Sequence, residues 1–187
     1  MKKFVPIFII LICILGVLST QVKVEMSSSK AEPGSNSEAA RTFYEAKFQS
    51  LKLKDLQGES FELKSIQTPV VVINFWASWC TPCLKEFPSI KKLVEQIGKN
   101  KVSVFAINAD DKNVVRAVKD VKKIIRIKEL PFNFVKDSGK DKIVDQFKVL
   151  TLPVSFVYVN GKLIKNQRGE FDFASDDFVK LVRSKIK

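Results

Sequence analysis

PVVVINFWASWCTPCLKEFP, residues 69–88, contains the change of period on which the fold turns. Val70 to Phe75 is a nearly continuous β-branched and aromatic run, which predicts a strand covered on both faces, as in the middle of an α/β sheet. The strand ends at Trp76. A helix is predicted to begin near Thr81 or Pro82, to run through Leu84, Phe87, Ile90, Leu93, Val94 and Ile97, and to stop at Gly98, with a kink at Pro88. At the junction stands Cys80-Thr81-Pro82-Cys83. A cysteine at a helix start meets unpaired amides and the positive end of the helix dipole, which favour thiolate over thiol and make a nucleophile near neutral pH. Cys83, one turn along, can reach back to resolve a mixed disulfide, and Thr81-Pro82 suits a first turn because proline needs no donor there.

Downstream, KVSVFAIN (residues 101–108) predicts a second buried strand, followed by a helix from about Asp110 or Asp111. Val114, Val118, Val121 and Ile125 form its inner stripe, and Arg116, Lys119, Lys123 and Arg126 line another face. LPFNFVKDSGK (130–140) predicts a strand and turn, and DKIVDQFKV (141–149) a short helix. PVSFVYVNGKLI (153–164) is a hairpin pattern whose Asn160-Gly161 suits a type I′ turn. A last helix is expected from Ser175, with Asp176 and Asp177 at the favoured end of its dipole and Phe178, Leu181 and Val182 facing inward. Upstream, FQSLKLKDLQGESFELKSI (48–66) alternates around a turn at Asp55 to Gly58 and predicts an opening hairpin or edge strand. The order is that of an α/β sandwich with a mixed sheet, the last hairpin supplying its antiparallel edge.

The chain begins MKKFVPIFIILICILGVLST, two lysines before an apolar run from Phe4 to Leu18. This is the pattern of an export signal, and residues 1–19 are expected to be a cleaved signal peptide or a retained N-terminal membrane anchor. Cys13 reads as a small hydrophobe within it, since Ile12 stands where a lipoprotein cysteine needs a small residue. Residues 20–42, with SSSKAEPGSNSEAA, are expected to be a flexible linker, leaving one domain over residues 43–187. The formal charge of the 187 residues is +12, and without residues 1–25 there remain 29 basic against 19 acidic residues, so the excess belongs to the domain. That balance favours acidic partners or anionic surfaces and says little about fold. The chain has no histidine, which excludes Ser-His and Cys-His pairs and His-ligated metals.

VVVINFWASWCTPCLKEFP, LTLPVSFVYVNGKLI and the opening hairpin together resemble the membrane-tethered or periplasmic TlpA/ResA-type thioredoxin-like proteins, over about Phe48 to Lys187. The resemblance implies a thioredoxin fold, a mixed central sheet flanked by helices, with an N-terminal hairpin extension and a βα insertion. It implies reversible disulfide exchange, with Cys80 attacking and Cys83 resolving. It also implies that Pro153 is a cis-proline facing the pair, and that Trp79, Thr81, Pro82 and Leu152 belong to a substrate groove. No cofactor beyond the Cys80–Cys83 disulfide and no metal is expected. The implied partners are a protein disulfide substrate such as apocytochrome c or a metal-site protein, and a membrane thiol transporter that returns electrons. Nucleic acid is not expected, and a monomer is. Location would be the periplasm or the outer face of the cytoplasmic membrane.

Asn74 departs from cytosolic thioredoxin, which carries a buried aspartate just before its FW. The resemblance offers Glu86 for proton handling instead, against a plainer reading as a first-turn acid near a helix N-terminus. Trp76 and Trp79 are open between packing and substrate contact, and the basic face between solvated surface and partner docking. A lone C-x-x-C can be half a zinc site, but no second pair and no histidine accompany it. As a structural staple it would close only a two-residue loop. A peroxiredoxin-like peroxidase is the competing enzyme, although its peroxidatic cysteine usually follows a threonine or serine by three residues and here Ala77 stands there. A redox-inactive membrane-tethered binding protein is the non-enzymatic alternative. Because Thr81 and Pro82 offer the thiolate no positive charge, the expected potential is nearer thioredoxin, roughly −270 mV, than the strong periplasmic oxidant at about −120 mV.

Overall fold

The computed structural model describes residues 37–110, 113–137 and 140–186. The expected leader with Cys13, and residues 20–36 of the expected linker, lie outside the described residues.

The first element corrects the sequence reading. Helix α1 spans Glu38–Ser50, so residues 38–42 belong to the folded body rather than to a linker, and a helix rather than a hairpin comes first. Ser37 caps it, its hydroxyl accepting the Ala40 N–H at 3.2 Å. Among its thirteen residues only Tyr44 and Phe48 are buried, one turn apart, which is too thin a stripe to stand out in a polar sequence. Strands β1 (Lys52–Lys54) and β2 (Ser60–Glu62) then form the expected hairpin, with Leu53 facing Phe61. The Asp55 carboxylate closes its turn by accepting from the amides of Gln57 and Glu59.

The main sheet runs β5-β4-β3-β6-β7. Strand β3 (Val70–Trp76) is buried at all seven positions, parallel to β4 (Val102–Asn108) on one side and antiparallel to β6 (Val154–Val159) on the other. Its period of two sends Val70, Val72 and Trp76 into one core and Val71, Ile73 and Phe75 into another. Helix α2 (Thr81–Ile97) covers the first face and continues unbroken past Pro88 to Gly98, whose φ of 117° ends it. Helix α3 (Val114–Ile124) leads to the edge strand β5 (Phe132–Lys136), the inserted βα unit. It starts later than expected, capped by Asn113, because the Asp110 carboxylate is engaged elsewhere. Asp137 caps the short α4 (Ile143–Gln146), accepting from Ile143 and Val144 at 2.6 and 2.9 Å.

Strand β7 (Lys162–Arg168) follows β6 through Asn160 and Gly161, with φ of 50° and 75°, as a type I′ turn requires. Helix α5 (Asp176–Lys185) packs through Phe178, Val179 and Val182. Leu181, expected inside, is 40% exposed. Val179, adjacent to Phe178 on the inner arc of the helix, takes that place. This mixed sheet between helical layers, with the hairpin and the βα unit added, is the thioredoxin-like arrangement.

Phe48 is 5% exposed and its ring lies 4.5 Å from that of Tyr158. Phe48→Ala is expected to lower unfolding free energy by about 3–5 kcal/mol in urea titrations. A loss below about 0.5 kcal/mol would return α1 to the status of a spacer.

Candidate active site

The strand-to-helix junction places Cys80 at the N-cap of α2, where its Sγ accepts the Cys83 N–H at 3.3 Å and its carbonyl accepts the Leu84 N–H at 3.2 Å. Cys80 and Cys83 are joined as a disulfide. Cys80 retains 5% exposure and Cys83 none, so an incoming group has access to the pair from the Cys80 side. The two tryptophans separate because Trp76 ends the buried strand and Trp79 lies in the loop beyond it. Trp76 is fully buried, in edge contacts with Phe87 and Phe134 at 5.3 and 5.8 Å, and is packing. Trp79 is 72% exposed immediately beside Cys80, with Thr81 and Pro82 also at the surface.

The Leu152–Pro153 peptide bond is cis. Because Val154 pairs with Phe75, Pro153 stands level with Trp76, at the sheet end from which the cysteine loop departs. Leu152 is half-buried, and Leu150, which the sequence did not single out, is 81% exposed. A leucine among Val149, Thr151 and Leu152 reads as ordinary packing until the fold leaves it on this loop at the surface.

Asp110 was missed as well. It is 4% exposed, and its two carboxylate oxygens accept the Ser78 N–H at 3.2 and 3.0 Å while Oδ2 also accepts from Asn108 Nδ2 at 3.2 Å. It therefore braces the loop two residues before Cys80. Its position after a strand resembled that of a helix cap, which concealed this contact.

Glu86, one turn beyond Cys83, is 1% exposed. Its Oε1 accepts the Phe171 N–H at 3.0 Å and its Oε2 accepts from Asn74 Nδ2 at 3.1 Å. Asn74 Nδ2 donates also to Ser155 Oγ at 2.8 Å. Burial away from water pushes the Glu86 carboxyl up to about 8, the Phe171 and Asn74 bonds working against the rise and the negative charge of Glu170 adding to it. The basic face of α3 is exposed at Arg116, Lys119 and Lys123, with Arg116 3.8 Å from Asp120, while Arg126, expected on the same face, lies exposed beyond the end of the helix with a φ of 54°.

The AhpC/TSA family profile matches residues 45–167, well over half of the chain. The chain belongs to the AhpC/TSA family. Within it, the chain is 33% identical to the thiol-disulfide oxidoreductase ResA of Bacillus thuringiensis over 117 residues, 62% of this chain and 64% of that protein. The match thus spans somewhat less than two thirds of that relative's length. The ResA of Bacillus subtilis is 26% identical over 133 residues, 70% of this chain and 71% of that one. Among solved structures, the thioredoxin domain of a thiol-disulfide oxidoreductase from Bacteroides vulgatus superposes with a TM-score of 0.56 at 18% identity, covering 73% of this chain and 93% of that domain, a likeness of fold. In this AhpC/TSA chain the thioredoxin-like sheet carries the cysteine pair, the cis-proline and the buried carboxyl at one end.

The raised Glu86 carboxyl has a thermodynamic sign. The folded state holds the proton more tightly than the unfolded chain, so this contribution is complete below about pH 4.5 and is lost as pH rises to about 8. Across that window Glu86→Gln, which keeps a neutral group in place, is expected to gain stability relative to wild type. Urea midpoints compared at intervals from pH 5 to pH 9 measure the gap. A gap independent of pH would mean that the buried carboxyl titrates normally.

Proposed function

We propose that this chain is an extracytoplasmic thiol:disulfide oxidoreductase that reduces protein disulfides. The observation that carries the reading is Cys80 at the N-cap of α2, beside exposed Trp79, with Cys83 wholly buried one turn in. In the reduced enzyme the Cys80 thiolate attacks one sulfur of a substrate disulfide, forming a mixed disulfide and releasing the other sulfur as a thiolate that takes up a proton. Cys83 loses its proton and attacks Cys80 Sγ, which releases the second substrate thiolate and closes the Cys80–Cys83 disulfide. Two electrons pass to the substrate and two thiols are oxidised. Glu86, titrating in the range of ordinary thiols, is the group that would hold the proton given up by Cys83. A dithiol protein at the membrane must then reduce Cys80–Cys83 for the next cycle.

The apolar leader and the ResA relatives support an extracytoplasmic, membrane-tethered location, and the relatives, thiol-disulfide oxidoreductases by name, support disulfide exchange; the client proposed for it is a protein disulfide such as that of apocytochrome c or a metal-site protein. Reduction as the direction is supported by the absence of a positive charge at Thr81 and Pro82 and by the acid at Glu86, which together leave the thiolate only modestly stabilised. The family profile gives the peroxidase reading some standing, but Ala77 in place of a threonine or serine disfavours it.

Cys80→Ser is expected to abolish insulin reduction, and Cys83→Ser to accumulate mixed disulfides with partners in the native envelope. Faster alkylation of Cys83 than of Cys80 in the reduced protein would reverse their roles. Hydrogen peroxide consumption at a rate exceeding insulin reduction would favour the peroxidase.

Equilibration against glutathione is expected to place the pair nearer roughly −270 mV than −120 mV. A potential above about −150 mV would end the reductant reading, since donating electrons to ordinary protein disulfides would then be unfavourable.

A further inference from the structure

Asn74 holds a buried polar group with no partner. Its side chain is fully enclosed, Nδ2 makes two hydrogen bonds, and Oδ1 makes none. An unpaired acceptor in a protein interior is unfavourable by about 1–3 kcal/mol, so it needs a reason. The neighbouring Glu86 supplies one. In the arrangement described, both Glu86 oxygens accept hydrogen bonds, which suits a carboxylate. Once protonated, Glu86 must donate, and a donor facing the Asn74 amino group has nothing to donate to.

We propose that Asn74 is a positioning residue whose amide turns over in place as Glu86 gains or loses its proton. Rotation of the amide by half a turn exchanges Oδ1 for Nδ2 at almost unchanged shape. Oδ1 then occupies the point between Glu86 Oε2 and Ser155 Oγ. There it accepts from the Glu86 O–H and from the Ser155 hydroxyl, which rotates to donate. Both hydrogen bonds survive with their sense reversed. The position vacated on the far side holds an unpaired Oδ1 in one state and an unpaired Nδ2 in the other. A fixed backbone donor or acceptor there would hold the amide in one sense, and none among the described residues is bonded to it.

Strands β3 and β6 bring the three groups together, since Asn74 and Ser155 are paired across the sheet and face the core that α2 covers. The charged groups around Glu86 are Glu170, on the segment after β7, and Lys85 on its own helix, 3.7 Å from Glu170. Cys80 and Cys83, at the start of the same helix, are joined as a disulfide and do not titrate in this state. Helix α5 turns Phe178, Val179 and Val182 toward this core. Asn74 and Ser155 do not themselves titrate between pH 5 and 10. The position of the Glu86 carboxyl near 8 sets where the turn is read. Its meaning for exchange rests on the function proposed above, because a carboxyl that can be paired in both states can store the proton exchanged with Cys83.

The test uses the oxidised full-length chain without substrate. Nuclear Overhauser contacts between the Asn74 side-chain amide protons and Ser155 are followed from pH 6 to pH 10, alongside the Glu86 carboxyl carbon shift. The contacts are expected above the Glu86 midpoint and lost below it, the Asn74 nitrogen shift following the same midpoint. In Glu86→Gln the Gln amino group would donate to Asn74 Oδ1, so the amide should stay in its acid-state orientation throughout. An Asn74 signal that is flat while Glu86 titrates, or that moves equally in Glu86→Gln, would overturn the proposal. A chain whose Asn74 follows Glu86 but which fails to reduce insulin would sink the exchange reading and leave this one standing.

Discussion

Burial of β3 on both faces is the constraint on which the site depends. A strand covered everywhere must be flanked by strands on both sides and by helices above and below, and β3 has β4, β6 and the two cores. At its C-terminal end the chain leaves the interior and, after residues 77–80, enters α2. Three exits gather there. The Ala109 N–H donates to Trp76 O at 2.9 Å and the Asp137 N–H to Asn108 O at 3.1 Å, so the loops leaving β3, β4 and β5 are tied in series. Antiparallel β6 enters the sheet at the same end and brings Pro153 with it. The carboxyl ends of parallel strands are the usual place for a binding site in α/β sheets, and here a row of backbone bonds fixes the geometry of that end.

Three buried carboxylates reinforce this end, and each is bonded by N–H groups. Asp110 joins the exit of β4 to the Cys80 loop, Asp137 joins the exit of β5 to α4, and Glu86 joins α2 to Asn74 and to the segment at Phe171. A chain with 32 lysines and arginines could have supplied cations, yet buried ion pairs require two desolvations and good geometry. Amides from a fixed backbone arrive already oriented. Glu86 is provided for as Asp110 is, with one backbone and one side-chain donor, and burial pushes its carboxyl up to about 8.

Much of the sheet was legible because β3, β4 and β6 are dense apolar runs and Asn160-Gly161 marks its turn. The cysteine pair was legible because C-x-x-C between a buried strand and a helix has few other uses. Helix α1 was not, since its two inward residues are diluted among polar ones. The late start of α3 was hidden because Asp110 has two possible uses, as a cap or as a brace, and only the approach of the Ser78 amide decides between them. Leu181 went wrong for a narrower reason. Phe178 and Val182 fix one inner line of α5, and either flank can complete the arc until the position of the sheet is known.

Under the proposed exchange, the absence of histidine gives a proton-holding role for Glu86 its chemical rationale. Proton transfer is least costly between groups of similar affinity, and an ordinary thiol titrates near 8.5. An exposed glutamate would lie some four units below that, and passing it a thiol proton would be uphill by about 5–6 kcal/mol. At about 8 the mismatch shrinks to under about 1 kcal/mol. Burial therefore brings a carboxyl into the range where histidine usually serves. The consequence is a side chain that must be accommodated both charged and neutral in a buried site, with Asn74 and Ser155 as its polar neighbours from the sheet.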